Sequence, residues 1–320
     1  MNIGFLGVGK IALEHSKVVK ALGHKIILGC ATSQDSKNWK TFKLTNPDVH
    51  FESDIKNLLY NPKIDAVISC LPWDVTEKWL PLLLTTKKPV LIEKPMALSS
   101  LIAEKIINQN NVQLKNKVIG FNRRFYEPVQ KLKKRIEKGG LKSVEITISE
   151  TLDRLIQKYG EKIVDYIFIF SSSHILDTAI YLFGQLKPIK FYKYKDEKSF
   201  SLTGILETEK KIPLIISINM ENPTDVGIKM YFDDKTTWHL SPMECLTVYE
   251  GYETTEPNKK IKIREYKPKI ISKTIVDSEF KPGFLKQMEA FITQDKNICA
   301  TPKESIKLLQ FIEDITKNTT

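Results

Sequence analysis

Near residue 140 the spacing of apolar positions along the chain changes. Before it, short unbroken apolar runs alternate with stretches of helical periodicity. The runs are residues 3–6, HKIILGCA (24–31), DAVISCLP (65–72), KPVLIEKP (88–95) and NKVIGFN (116–122). Between them, DVTEKWLPLLLTT (74–86) and ALSSLIAEKIINQN (97–110) repeat their apolar residues every three to four positions, as one face of a helix does. Continuous apolar strands separated by helices predict a parallel sheet covered on both faces. After residue 140 the runs become short and alternating: LKSVEITISET (141–151), KPIKFYKY (187–194), SFSLTGILETE (199–209), KIPLIISINME (211–221), VGIKMYFDD (226–234) and TVYEGYE (247–253). Period-two alternation predicts a mostly antiparallel sheet with one buried and one open face. One helix, SSSHILDTAIYLFG (171–184), interrupts this texture, and two more close the chain near 283–294 and 302–317. The expected fold is an α/β Rossmann domain over 1–120, then an α+β domain with a large, mostly antiparallel open sheet over 121–320.

The segment GFLGVGKIALEHS (4–16) joins the first strand to a helix over 10–22 that Gly23 stops. Its Gly7-x-Gly9-x-x-Ala12 pattern stands in the strand–turn–helix context of a dinucleotide fingerprint. Gly7 permits the turn, Gly9 lets backbone approach a pyrophosphate, and Ala12 must be small for helix and strand to pack. Unpaired N–H groups at the helix start complement the anion.

Composition narrows the classes. A soluble globular chain of 320 residues fits the 42% hydrophobic and 27% charged content. The net charge of +11, from 49 Lys and Arg against 38 Asp and Glu, is scattered. Its densest run, KLKKRIEKGGLK (131–142), has the form of one solvated helix face, without a nucleic-acid signature. Such a surface attracts anionic small molecules. Cys30, Cys70, Cys245 and Cys299 form neither a CxxC pair nor a metal spacing, so reduced thiols, no metal site and a cytoplasmic setting are expected. A first strand from residue 2 is expected to leave no room for a signal peptide, and no apolar run is long enough to span a bilayer.

Three further segments carry candidate chemistry. Glu93-Lys94-Pro95 follows an apolar strand, where a parallel sheet places its ligands; taken alone it is also an ordinary surface turn. In the 171–184 helix, His174, Asp177, Thr178 and Tyr181 share one face, set off from the apolar stripe. Histidine exchanges protons near neutral pH, although a solvated polar face has the same pattern. GFNRRF (120–125) offers Arg123 and Arg124, suited equally to an anionic substrate or to a structural ion pair.

In this order the motifs resemble the glucose–fructose oxidoreductase / inositol dehydrogenase family (Gfo/Idh/MocA) over essentially the whole chain. The resemblance implies NAD(P)-linked oxidation or reduction of a sugar or cyclitol hydroxyl by a homo-oligomer, a dimer or tetramer. It implies Lys94 and His174 as catalytic residues. It implies a cofactor held by Gly7, Gly9, Lys10, Ile11, Ala12, Thr32, Ser33, Lys37, Cys70, Leu71, Pro72, Glu93, Lys94 and Asn122. For substrate it implies Lys94, Arg123, Arg124, Tyr126, His174 and Asp177. The expected substrate is a nucleotide-linked or other anionic sugar of surface-polysaccharide metabolism; the alternative is a non-catalytic NAD(P)-binding sensor or assembly subunit. Two positions depart from the family. The aspartate four residues before the histidine is Phe170 here, so the usual dyad is absent and Asp177 lies one turn on. The acid expected after the second strand is replaced by Ala31-Thr32-Ser33, and Asp35 comes late. Without that acid a 2′-phosphate is not repelled, and Ser33 and Lys37 are placed to meet it, which favours NADP slightly over NAD.

Overall fold

In a computed structural model, which describes residues 1–109, 112–195, 200–295 and 297–317, the opening apolar run is β1 (Asn2–Leu6), followed by α1 (Lys10–Ala21). There follow β2 (Lys25–Cys30), α2 (Lys37–Thr45), β3 (His50–Glu52), α3 (Ile55–Tyr60), β4 (Ala66–Ser69), α4 (Trp73–Thr85), β5 (Val90–Ile92), α5 (Ser100–Ile107) and β6 (Lys117–Ile119). The six strands form one parallel sheet in the order β3-β2-β1-β4-β5-β6. Every residue of β4, β5 and β6 is buried, which explains why these strands are apolar without alternation. Strand order reverses between β1 and β4, and in such sheets ligands gather beyond the strand ends at that switch. The edge strand β3 has three residues, too few to show a period in the sequence. The helix expected over 97–110 ends at Ile107; Asn110 lies outside the described residues, as does Ser199 of the expected strand 199–209.

The second sheet contains β7 (Leu141–Glu150), β8 (Leu186–Lys195), β9 (Phe200–Thr208), β10 (Pro213–Met220), β11 (Gly227–Phe232), β12 (Thr236–Leu240), β13 (Cys245–Thr255) and β14 (Glu265–Ile275), in the order β14-β13-β12-β11-β7-β10-β9-β8. Its neighbours are antiparallel except β7 and β10, which run parallel. Val144, Ile146 and Ile148 of β7 and Ile228, Met230 and Phe232 of β11 are buried, with polar residues between them. The helix α6 (Glu127–Glu137) packs against β12, β13 and β14. The sequence pattern passed over β12 and β14. Nearly all of β14 is exposed, so it has no apolar face to alternate. Two helices, α7 (Leu152–Tyr159) and α8 (Ser173–Phe183), lie between β7 and β8 in the chain, and a π-helical turn over Phe168–Ser172 precedes α8.

The chain closes with α9 (Phe284–Thr293) and α10 (Pro302–Lys317). It forms two compact units. The first holds Met1–Phe125, Phe168–Ser173 and Ser278–Glu313; the second holds Tyr126–Ile167, His174–Asp277 and the described residues from Asp314. These units differ from a division at residue 120 because the closing segment returns to the first sheet. Phe284, Met288, Phe291 and Cys299 join the apolar core with Ile3, Phe5 and Val18. At the edge strand β6, the Ile119 N–H donates to the Ala300 carbonyl at 2.8 Å. Among the described residues, no helix is long and apolar enough to cross a membrane.

Candidate active site

The glycine turn has the geometry its sequence demands. Gly7 takes φ +78°, and a Cβ there would stand 2.5 Å from the Cys70 carbonyl oxygen, so no other residue fits without moving backbone. Its N–H donates to the Cys30 carbonyl at 3.0 Å, tying the turn to β2. Gly9 caps α1 with extended backbone and no side-chain cap, and a Cβ at Gly9 would meet nothing within 4 Å. That open approach is the fit a pyrophosphate requires at a helix start. Ala12 is fully buried under the helix; Lys10 is exposed and Ile11 half-buried beside it.

A cavity of about 500 Å³ opens from this turn. Its walls include Gly7, Gly9, Thr32, Cys70, Leu71 and Pro72, all expected from sequence, together with Cys30, Ser36, Asn38, Asp54, Val75 and Trp79. Ser33 and Lys37 are not on that wall. The Ser33 hydroxyl accepts the Asp35 N–H at 3.0 Å, and Lys37 is exposed at the start of α2. Sequence reasoning missed Asp54, which caps α3 by accepting the Lys56 N–H at 2.8 Å; its signal was Ser-Asp just before an apolar helical run. Burial and the charges of Glu52 and Asp54 push the Cys30 thiol up to about 11. Two carboxylates therefore stand near the end of β2, which itself carries none: Glu52 on β3, paired with Cys30, and Asp54, the cap of α3.

Glu93 follows β5 directly, and the register of the sheet places it beside Ser69 and Gly120. One of its carboxylate oxygens, which the resemblance directs to the cofactor, is hydrogen-bonded to His15 Nε2 at 2.7 Å. His15 is fully buried on α1, with its ring 4.4 Å from that of Phe284. A Cβ on Gly120 would stand 3.0 Å from the Glu93 carboxyl group, so the glycine of the GFN segment is what the Glu-Lys-Pro segment packs on. Burial, and then the Glu93 charge, push the Cys70 thiol well above its ordinary value.

Lys94 is half-buried. Its Nζ donates to the Phe170 carbonyl at 2.6 Å and lies 5.0 Å from the centre of the Phe170 ring. That ring in turn meets Trp73 edge-on, with centroids 6.1 Å apart.

The arginine pair divides. Arg124, expected at the substrate, is buried and donates to Glu304 at 2.9 Å, an ion pair within the first unit. Burial tends to raise the Glu304 carboxyl, but Arg124 and Thr301 outweigh it and hold the group below its ordinary value. Arg123 is half-buried. Asn122 is buried and its amide nitrogen donates to the Pro282 carbonyl at 2.9 Å, which ties the loop to the closing segment. In the second unit, Tyr126 and Asp177 are buried and His174 is half-buried, its carbonyl accepting from the Thr178 hydroxyl at 2.8 Å.

Residues 1–118 match the family described as "Oxidoreductase family, NAD-binding Rossmann fold", Gfo/Idh/MocA. Over these residues the chain is similar to this family's Rossmann domain. Among curated relatives, the myo-inositol 2-dehydrogenase of Thermotoga maritima is 23% identical over 186 residues, covering 58% of this chain and 55% of the relative. The chain thus matches about half the length of such relatives. Solved structures share the whole fold. A dehydrogenase from Chromobacterium violaceum superposes with TM-score 0.79 at 14% identity, over 100% of this chain and 95% of that one. The UDP-N-acetylglucosamine 3-dehydrogenase from Acidithiobacillus ferrooxidans gives TM-score 0.73 at 13% identity, over 100% and 97%. The chain therefore pairs a six-stranded parallel sheet, the part similar to that Rossmann family, with an eight-stranded, mostly antiparallel one.

Proposed function

We propose that this chain is an NAD(P)-dependent oxidoreductase that interconverts a hydroxyl and a ketone on a sugar, nucleotide-linked or otherwise anionic. The observation that carries the proposal is the glycine-turn cavity on a sheet whose next strand end presents Lys94. Relatives that act on myo-inositol and a structural neighbour that acts on UDP-N-acetylglucosamine support a polyol or sugar. The net charge of +11 supports an anionic one, in surface-polysaccharide metabolism. Free cysteines support a reducing, cytoplasmic setting.

A bound nicotinamide dinucleotide supplies the hydride acceptor or donor. The uncapped start of α1 and the open face of Gly9 receive its phosphates. Lys94, as a cation, stabilises negative charge developing on the reacting oxygen and donates a proton to it on reduction. His174 serves as the second proton partner, and Arg123 as the remaining arginine for an anionic group. For the cofactor, Thr32, Ser36 and Asn38 leave room for a 2′-phosphate, which the Asp54 carboxylate on the same cavity wall opposes only in part, so NADP is accepted at least as well as NAD. The outward face of the second sheet presents Tyr192, Tyr194, Ile205 and Ile215, each about half exposed or more. An apolar face of this kind suits a second copy of the chain, as a dimer or tetramer.

A second reading, a non-catalytic NAD(P)-binding sensor, is favoured by Phe170, which removes the carboxylate of the family's usual dyad. One experiment separates the two. NADH and NADPH fluorescence titration establishes binding, and turnover is then followed on UDP-sugars and myo-inositol. Tight binding with turnover on any of these supports the oxidoreductase; binding with no turnover on all of them supports the sensor, and no binding overturns both.

A further inference from the structure

We infer that Phe170 is a positioning residue for Lys94, forming with its ring and its own carbonyl a seat for the lysine ammonium where the family pattern has a carboxylate. The inference rests on the reading of Lys94 as the group that meets the reacting oxygen. Two independent contacts define the seat: Nζ to the Phe170 carbonyl oxygen, 2.6 Å, and Nζ to the ring centroid, 5.0 Å. A carbonyl oxygen has two lone pairs, so it accepts from lysine whatever its place in the helix ladder. The ring offers its negative face to the cation. Phe170 stands in the π-helical turn over Phe168–Ser172, a form of helix that recurs at functional sites. Trp73 backs the ring edge-on at 6.1 Å and fixes its plane.

The chemistry of such a seat differs from that of a carboxylate. An aspartate would pair with the ammonium and could accept its proton. A carbonyl and an arene orient the ammonium and favour its charged form, but neither takes a proton. Neither group of the seat competes with the substrate oxygen for the Lys94 proton, and one N–H direction is fixed.

The test needs no substrate. The whole protein is trace-labelled with acetic anhydride, which reacts only with the uncharged amine, and the labelling of Lys94 is compared by mass spectrometry with that of the exposed Lys63. Phe170→Leu keeps the carbonyl and an apolar side chain but removes the arene, and Phe170→Met repeats the comparison with another apolar shape. Both should raise the relative labelling of Lys94 by about three- to tenfold, the span of an attraction of this kind. Phe170→Tyr should stay within about twofold of the native chain, because it restores the arene. Labelling unchanged in Leu and Met, or raised equally in Tyr, would overturn the seat and leave Phe170 as packing. Failure of the underlying reading shows elsewhere, as full turnover in Lys94→Met, and does not alter the labelling result.

Discussion

His15 and Glu93, 78 residues apart in the chain, share a 2.7 Å hydrogen bond beneath the glycine-turn helix. This bond joins the helix that starts at Gly9 to the segment that carries Lys94. Since His15 is fully buried, removing its ring leaves the Glu93 carboxylate without that partner. His15→Ala is expected to cost about 1–3 kcal/mol of stability, because it orphans a half-buried carboxylate and removes a buried ring. Thermal unfolding checks this, and a midpoint equal to that of the native chain would show the pair to be idle.

The two glycines of the turn should separate fold from binding. Gly7→Ala places a Cβ 2.5 Å from the Cys70 carbonyl at a positive φ, so it should lower stability and soluble yield. Gly9→Val points into open space and should leave the unfolding midpoint near native while cofactor affinity falls by about tenfold or more, since bulk blocks the backbone approach. NADH titration of Gly9→Val reads the second outcome, and an unchanged dissociation constant would dismiss the cradle.

Lys94→Met should reduce kcat by about 100-fold or more on the substrate identified from the panel, as loss of a charge contact to a developing oxyanion does. Cofactor affinity should change little. Because Phe170 supplies no carboxylate to orient an imidazole, His174→Asn should retain appreciable turnover. Paired pH–rate profiles of the three proteins decide the matter: equal inactivity of both variants would make His174 an essential acid or base.

Cofactor choice should respond to Asp54. Its carboxylate lines the cavity, and the negative charge disfavours a 2′-phosphate nearby. Asp54→Asn should raise NADPH affinity relative to NADH by about two- to fivefold, the size of a partly screened charge contact. Dissociation constants for both cofactors, native and variant, measure it; a ratio that does not move would place the 2′ position away from Asp54.

The parallel sheet and the glycine turn were legible because both are set by local patterns: unbroken apolar runs, and glycine where a Cβ meets Cys70. The partners of Arg124 and Asn122 were not. Glu304 and Pro282 lie 180 and 160 residues further on, and nothing in GFNRRF announces them. Glu93 is similar, since its bond to His15 depends on strand order and not on sequence neighbours. Asp54 escaped notice because the search for an acid followed β2, whereas β3 runs beside it with Glu52 opposite Cys30. Phe170 was visible as a departure, but its hold on Lys94 arises from a π-helical turn that periodicity does not encode.

The closing segment has a consequence for how the protein is made. Phe284, Met288, Phe291 and Cys299 belong to the same core as β1 and α1, and Ala300 pairs with Ile119 at the sheet's edge. A ribosome delivers them long after β1 and α1 have emerged. Until then the nascent first unit has an open flank over α1 and a bare strand at β6, both sticky surfaces. A stop codon between residues 121 and 283 therefore yields a polypeptide with every glycine and lysine of the candidate site but no finished core, fit for degradation and not for partial activity.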